Sequence, residues 1–329
     1  MNFKKIDKNQ FDLLIKEMRE IQDIFFKDFG IDDLWSNSKF TEVIIANALD
    51  HEMIPGHSGS RDAKNKEGDI FEYKHYKKNS SNHSWTFNDF SDSTIKKLKT
   101  TDSVVFAHLN DDNFPPKFDW YMHVPGKKIS DYLSIYTKNI KNNRKMINVS
   151  PGQLKERLKI NKTNTKINND KSGKYLKHLN MIFNFSKKLE RLTGVKNLLT
   201  SNKIWEQIVA IKLNHNINSE QGGRAGAHDA FDEKGNEYEY KVYAGKSWGF
   251  QDISDEVLKK YEKIQSFILA TVDKKKIVVK NIFEVKPLLA IPILKKKRDD
   301  KIKKKGSVRR FNESLSIKDI KKINAKKIL

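Results

Sequence analysis

The chain has 329 residues, enough for about two ordinary domains, and 37% of them are hydrophobic, which suffices for buried cores. The absence of cysteine excludes disulfides, thiolate metal sites and cysteine nucleophiles. No apolar run reaches the ~20 residues of a membrane span, and Met1–Lys5 leads into an amphipathic pattern rather than a signal-peptide core, so a soluble cytoplasmic protein is expected.

Phe11, Leu14, Ile15, Met18, Ile21 and Phe25 recur at helical spacing and predict a helix over 9–28. A second helix is expected over about 39–50, with Glu42 in its first turns, followed by a glycine-containing loop or hairpin over 55–69. Residues 70–76 (IFEYKHY) have the aromatic and β-branched content of a strand. Trp85 and Phe87 alternate with polar residues, as in a short strand or extended arm. Ser91-Asp92 offers an N-cap for a helix running to about 100. Ser103–Leu109 is a short apolar run between turn residues, a buried strand. Ser150-Pro151-Gly152-Gln153 reads as a capping-box start. The polar stretch Asn161–Ser172 is the expected linker, and the Lys-rich run 295–305 an expected solvated loop.

The same order recurs in the second half. Residues 84–98 (SWTFNDFSDSTIKKL) and 247–261 (SWGFQDISDEVLKKY) agree at 8 of 15 positions without a gap, at an offset of 163. Residues 62–74 (DAKNKEGDIFEYK) and 229–241 (DAFDEKGNEYEYK) share Asp, Ala, Gly, Glu, Tyr and Lys at an offset of 167. Gly56/Gly223, Gly59/Gly226, Glu42/Glu206 and His51/His215 also correspond. The reading is an α/β protein of two tandem units, 1–163 and 164–329, each a small mixed sheet flanked by helices.

The net charge of +22 attracts polyanions. A chain rich in Lys, Asn and Ile drifts basic without binding anything, so a nucleic-acid role needs a site to support it. The duplicated block supplies a candidate. Residues i and i+2 of a strand share a face, which puts Glu72 beside Lys74 and turns Phe71 and Tyr73 toward the core. If the segment before the turn at Gly68 folds back, Asp62 and Glu72 can share one cation. Two carboxylates with positions left for water and phosphate suit Mg²⁺, and Lys74 can orient a water or offset transition-state charge. Asp229, Glu239, Lys241 and Gly235 repeat every part. Acidic-x-Lys triplets are cheap in a Lys-rich chain, and Glu284-Val285-Lys286 is a decoy within a plausible strand. Only the Glu72 and Glu239 triplets recur at the same spacing in both halves.

The Asp-x9-Glu-x-Lys pattern after a Glu-bearing helix resembles the PD-(D/E)XK nuclease superfamily of type II restriction endonucleases, over residues 39–109 and 203–272. Neither copy has Pro before its Asp; Arg61 and His228 stand there. The resemblance implies a restriction-endonuclease-like fold, Mg²⁺ as cofactor, cleavage of double-stranded DNA, and a cognate DNA methyltransferase as partner. It also implies Asp62/Glu72/Lys74 and Asp229/Glu239/Lys241 as catalytic sets, with Glu42 and Glu206 helping to hold the metal. Trp85 and Trp248 are candidate base-stacking contacts, with a core role as the alternative. Arg144, Arg309 and Arg310 are candidate phosphate or guanine contacts. Ser91/Ser254 are read as caps, and His51/His215 as structural histidines rather than ligands. Two like units in one chain imitate a two-fold dimer on duplex DNA, so the expectation is a functional monomer with one site per strand. Readout is expected in the divergent regions 110–145 and 273–310. A repair or structure-specific nuclease of the same fold, and a non-catalytic DNA-binding protein, are the alternatives.

Overall fold

The computed structural model describes residues 5–35, 39–55, 61–80, 82–87, 92–113, 115–138, 147–165, 174–196, 198–200, 203–218, 228–245, 247–305 and 311–329. It is a mixed α/β protein with two compact units.

The first unit takes in Glu20–Leu34 and Ser38–Asn184. Its elements are the second half of α1 (Lys8–Phe29), α2 (Lys39–Leu49), β1 (Glu52–Met53), β2 (Ala63–Lys64), β3 (Ile70–Lys77), β4 (Trp85–Phe87), α3 (Asp92–Lys99), β5 (Ser103–Asn110), β6 (Lys117–Pro125), α4 (Gly126–Thr137), β7 (Ile147–Val149), α5 (Pro151–Leu158), β8 (Thr163–Asn164) and the start of α6 (Leu176–Thr193). A six-stranded sheet runs β1-β2-β3-β5-β6-β8, with β4 and β7 paired separately. Among the described strands only β3 and β5 are parallel, Glu72 lying opposite Val104. That pairing needs a crossover connection, which β4 and α3 supply. β5 is buried from Ser103 to Leu109 because both faces of a central strand are covered, whereas β6 alternates buried and exposed residues. The core on one side gathers Trp85, Phe87, Leu98, Phe106, Ile129 and Leu154.

The second unit takes in Met1–Arg19, Trp35–Asn37 and Phe185–Leu329. Besides parts of α1 and α6 it contains α7 (Lys203–Leu213), β9 (Asn216–Ile217), β10 (Ala230–Phe231), β11 (Glu237–Tyr243), β12 (Ser247–Phe250), α8 (Asp255–Tyr261), β13 (Ser266–Asp273), β14 (Val278–Val285), α9 (Pro287–Lys305), β15 (Glu313–Ser316), α10 (Ile317–Lys322) and β16 (Lys326–Lys327). The sheet order β9-β10-β11-β13-β14-β16 reproduces the first, again with one parallel pair, Glu239 opposite Phe267. The repeat therefore extends to the last short strand: Asn164 pairs with Trp120, and Lys327 with Phe283.

Three expectations need correction. The tandem boundary at 163/164 is not where the compact units divide. α1 is shared, its first half packing with the second unit, where Arg19 donates to the carbonyls of Lys276 and Ile277 at 3.1 and 3.0 Å. The start of α6 belongs to the first unit, where the Tyr175 hydroxyl accepts the N–H of Met53 at 2.8 Å. The expected linker begins inside the fold, since Thr163 and Asn164 form β8; residues 166–173 lie outside the described residues. The Lys-rich run 295–305 is helical, not a loop. Three of its charges are tied down: Lys297 donates to the Ser314 carbonyl and to Asp319, Arg298 pairs with Asp255, and Lys301 donates to the Asn312 carbonyl. Among the described residues no helix is long and apolar enough to cross a membrane.

Candidate active sites

Each site is built on a hairpin leading into the parallel strand. The turn glycines adopt positive φ, 91° at Gly68 and 81° at Gly235, a region that disfavours a side chain. The hairpin brings Asp62 back beside β3. Its N–H donates to the Phe71 carbonyl at 2.8 Å, and its carbonyl accepts from Ile54 at 2.9 Å. Asp229 does the same with Tyr238 and Asn218, at 2.9 and 2.8 Å.

The aspartate side chain then reaches one step further along the strand. Asp62 Oδ2 accepts the backbone N–H of Tyr73 at 2.7 Å, and Asp229 Oδ2 that of Tyr240 at 2.9 Å. Each tyrosine is the middle residue of Glu-x-Lys, so the aspartate is anchored between the other two members. Glu72 and Glu239 are only 6% and 4% exposed. Lys74 Nζ donates to Glu72 Oε1, and Lys241 Nζ to Glu239 Oε1. Phe71 and Tyr73 are buried, as the alternation predicted.

Burial pushes the Glu72 carboxyl up to about 7; Asp62 adds to the rise and Lys74 opposes it. Glu239 is pushed up to about 7 by burial, with Lys241 opposing and Asp229 adding. The helix glutamates converge on the same places. Burial and the nearby Asp62 raise Glu42 to about 7, and burial and Asp229 raise Glu206 to about 8. Burial pulls Lys74 and Lys241 down, but the carboxylates outweigh it and both lysines are raised. Each site is thus a dry cluster with more carboxylates than it holds comfortably.

The sequence matches no protein-family model, and no curated protein resembles it significantly.

The site residues suit a hard cation. The available donors are carboxylate oxygens, and Glu72 Oε2 and Glu239 Oε2 are buried without a hydrogen-bond partner. Such orphaned acceptors are costly unless something positive meets them. Among the described residues no group of three or more His, Asp or Glu side chains is arranged to hold a metal. Asp62 stands close enough to Glu72, and Asp229 to Glu239, to raise the glutamate's pKa, and two carboxylates are a set of the kind Mg²⁺ uses together with water and phosphate. Glu42 is engaged by Lys39, which also lies 3.7 Å from Asp62.

His51 and His215 have structural partners, as expected. Their Nδ1 atoms lie 2.8 Å from the hydroxyls of Tyr73 and Tyr240, and their rings stack on Phe71 and Tyr238 at 4.2 Å. Ser254 caps α8 by accepting the Val257 N–H at 3.2 Å. The decoy Glu284 accepts from Ser266 Oγ at 2.8 Å and pairs with Lys286 and Lys326.

Trp85 and Trp248 are corrections to the base-stacking expectation. Both are 0% exposed, and their indole N–H groups donate to the carbonyls of Ala107 and Ala270 at 2.8 and 2.9 Å. They are core pillars against the central strand. The phenylalanines two residues on lie beneath the lysines, with Lys74 Nζ 5.4 Å from the Phe87 ring centre and Lys241 Nζ 5.6 Å from Phe250. Arg144, Arg309, Arg310, Asp89, Ser91 and the glycines 56, 59, 223 and 226 lie outside the described residues.

Two site residues escaped sequence reasoning. Lys39, whose counterpart is Lys203, carries no signal beyond its place three residues before the helix glutamate. Tyr261, whose hydroxyl donates to Glu239 Oε1 at 3.3 Å, left no repeat signal because Leu98 holds its place in the first copy.

Proposed function

We propose that this protein is a divalent-cation-dependent DNA endonuclease of the PD-(D/E)XK type, related in design to type II restriction enzymes, with one active site per unit and each site cutting one strand. The observation that supports it most directly is the twice-built Asp–Tyr N–H bond, which holds an aspartate between the glutamate and lysine of one strand.

Asp62 with Glu72, and Asp229 with Glu239, would hold Mg²⁺. When bound, such a cation supplies Lewis acidity toward a phosphodiester and lowers the pKa of a coordinated water. Lys74 and Lys241 carry a full charge within reach of Glu72 and Glu239. Released from that contact they orient the attacking water and donate to the phosphate oxygen that gains charge. Burial of the glutamates excludes bulk water and strengthens these interactions. The net charge of +22 favours a polyanionic substrate, and a fused pair of sites lets one chain address both strands of a duplex.

Incubation with plasmid DNA and Mg²⁺ tests the proposal. Discrete fragments support a sequence-specific enzyme, and cleavage only at mismatches or branches moves the reading to a repair nuclease of the same fold. Binding without Mg²⁺-dependent cleavage favours the non-catalytic alternative, for which the lysines folded onto Glu72 and Glu239 are the supporting observation.

A further inference from the structure

The two sites share their Asp, Glu, Lys and helix Glu but differ at the residue that faces the strand glutamate. Tyr261 closes α8, is 2% exposed and packs edge-on against Phe267, with ring centres 5.1 Å apart. A phenol this deep requires an acceptor, and it has one in Glu239 Oε1 at 3.3 Å. Lys241 donates to the same oxygen. Two donors thus converge on Oε1 and leave Oε2 bare. In the first unit the corresponding residue of α3 is Leu98, 1% exposed and without a side-chain donor. Glu72 Oε1 receives Lys74. A carboxylate held by one long, flexible ammonium side chain loses that hold whenever the lysine turns to substrate. A carboxylate that also has a rigid phenol keeps it, and less ordering remains to be done on binding.

We propose that Tyr261 is a positioning residue confined to the second site, fixing Glu239 with Oε2 left for the cation, so that the second site takes up a divalent cation more readily than the first. This rests on the cation-dependent reading of both sites. It makes the second site the first to be loaded at limiting cation, and the strand it addresses the first to be cut.

The test uses the full chain and Mn²⁺ as the probe, with binding followed by electron paramagnetic resonance of the free ion. Glu72→Gln leaves the second site intact, and Glu239→Gln leaves the first. The Glu72→Gln protein is expected to bind Mn²⁺ about 3- to 10-fold more tightly, the range the net contribution of one hydrogen bond supplies. Adding Tyr261→Phe should remove that advantage in the Glu72→Gln protein and leave Mn²⁺ binding by the Glu239→Gln protein unchanged, an outcome that general destabilisation of the second unit does not produce if the thermal midpoint is held. Equal affinities in the two single-site proteins, or no response to Tyr261→Phe, would overturn the inequality while leaving the nuclease reading intact. No Mn²⁺ binding by either protein would overturn both.

Discussion

The hydroxyl of Tyr73 meets His51 Nδ1 at 2.8 Å while its backbone N–H is taken by Asp62 at 2.7 Å. One residue thus links the end of α2 to the candidate cation site, and Tyr240 repeats the link between His215 and Asp229. Tyr73→Phe keeps the ring and loses only the phenol bond. It is expected to cost about 1 kcal/mol of stability, read from a denaturant midpoint. An unchanged midpoint would show that the bond contributes nothing net.

The same histidine sets a pH dependence. Burial, with His123 adding, lowers His51 from 6.5 to about 4. The unfolded chain therefore takes up the proton first. The contribution of the neutral imidazole is complete above pH 6.5 and is lost as the pH falls toward about 4. Over this window acidification is expected to lower the thermal midpoint of the native chain relative to that of His51→Gln, the buried carboxylates being common to both proteins.

The buried carboxylates act in the opposite direction. Glu42, Glu72 and Glu239 are raised from 4.5 to about 7 and Glu206 to about 8. Their neutral forms are favoured in the fold, so their ionisation costs stability as the pH rises from 4.5 through this range. A divalent cation should offset that cost. Mg²⁺ or Ca²⁺ is expected to raise the thermal midpoint more at pH 8 than at pH 6, and less in the Glu72→Gln, Glu239→Gln double variant. An equal shift in that variant would place the cation elsewhere.

Glu72→Gln alone is expected to leave an enzyme that nicks one strand, and Glu239→Gln one that nicks the other, seen with DNA end-labelled on each strand in turn. Lys74→Ala or Lys241→Ala should slow the corresponding cut by about 10²–10³. Loss of both cuts from either single change would argue against two independent sites.

Trp85→Ala should behave as a core truncation, with a loss of about 3–5 kcal/mol and no change in DNA affinity per folded molecule. A selective loss of DNA affinity at unchanged stability would restore the base-stacking role that its burial and its bond to Ala107 remove.

The repeat made much of each unit legible. Two copies of one pattern filter out accidents of composition, so Asp62/Glu72/Lys74 stood clear of the Glu284 triplet although both lie in strands. Capping chemistry is local, which is why the capping box of Ser150 with Gln153 was readable from four letters. The helix over 295–305 was not. A run of lysines reads as a solvated segment, and the partners that hold Lys297, Arg298 and Lys301 include Ser314, Asp255 and Asn312, none of them a near neighbour in sequence.

By itself the sequence determined the α/β character, the duplication and the Asp, Glu and Lys of each candidate site, because hydrophobic period, turn chemistry and repeated spacing are properties of neighbours along the chain. Tertiary structure alone decided that Trp85 and Trp248 are pillars, that α1 is shared between units, and that Tyr261 stands over Glu239 while Leu98 leaves Glu72 without it. Those facts depend on which surfaces meet across the fold, and burial and hydrogen-bond partners are fixed there rather than along the chain.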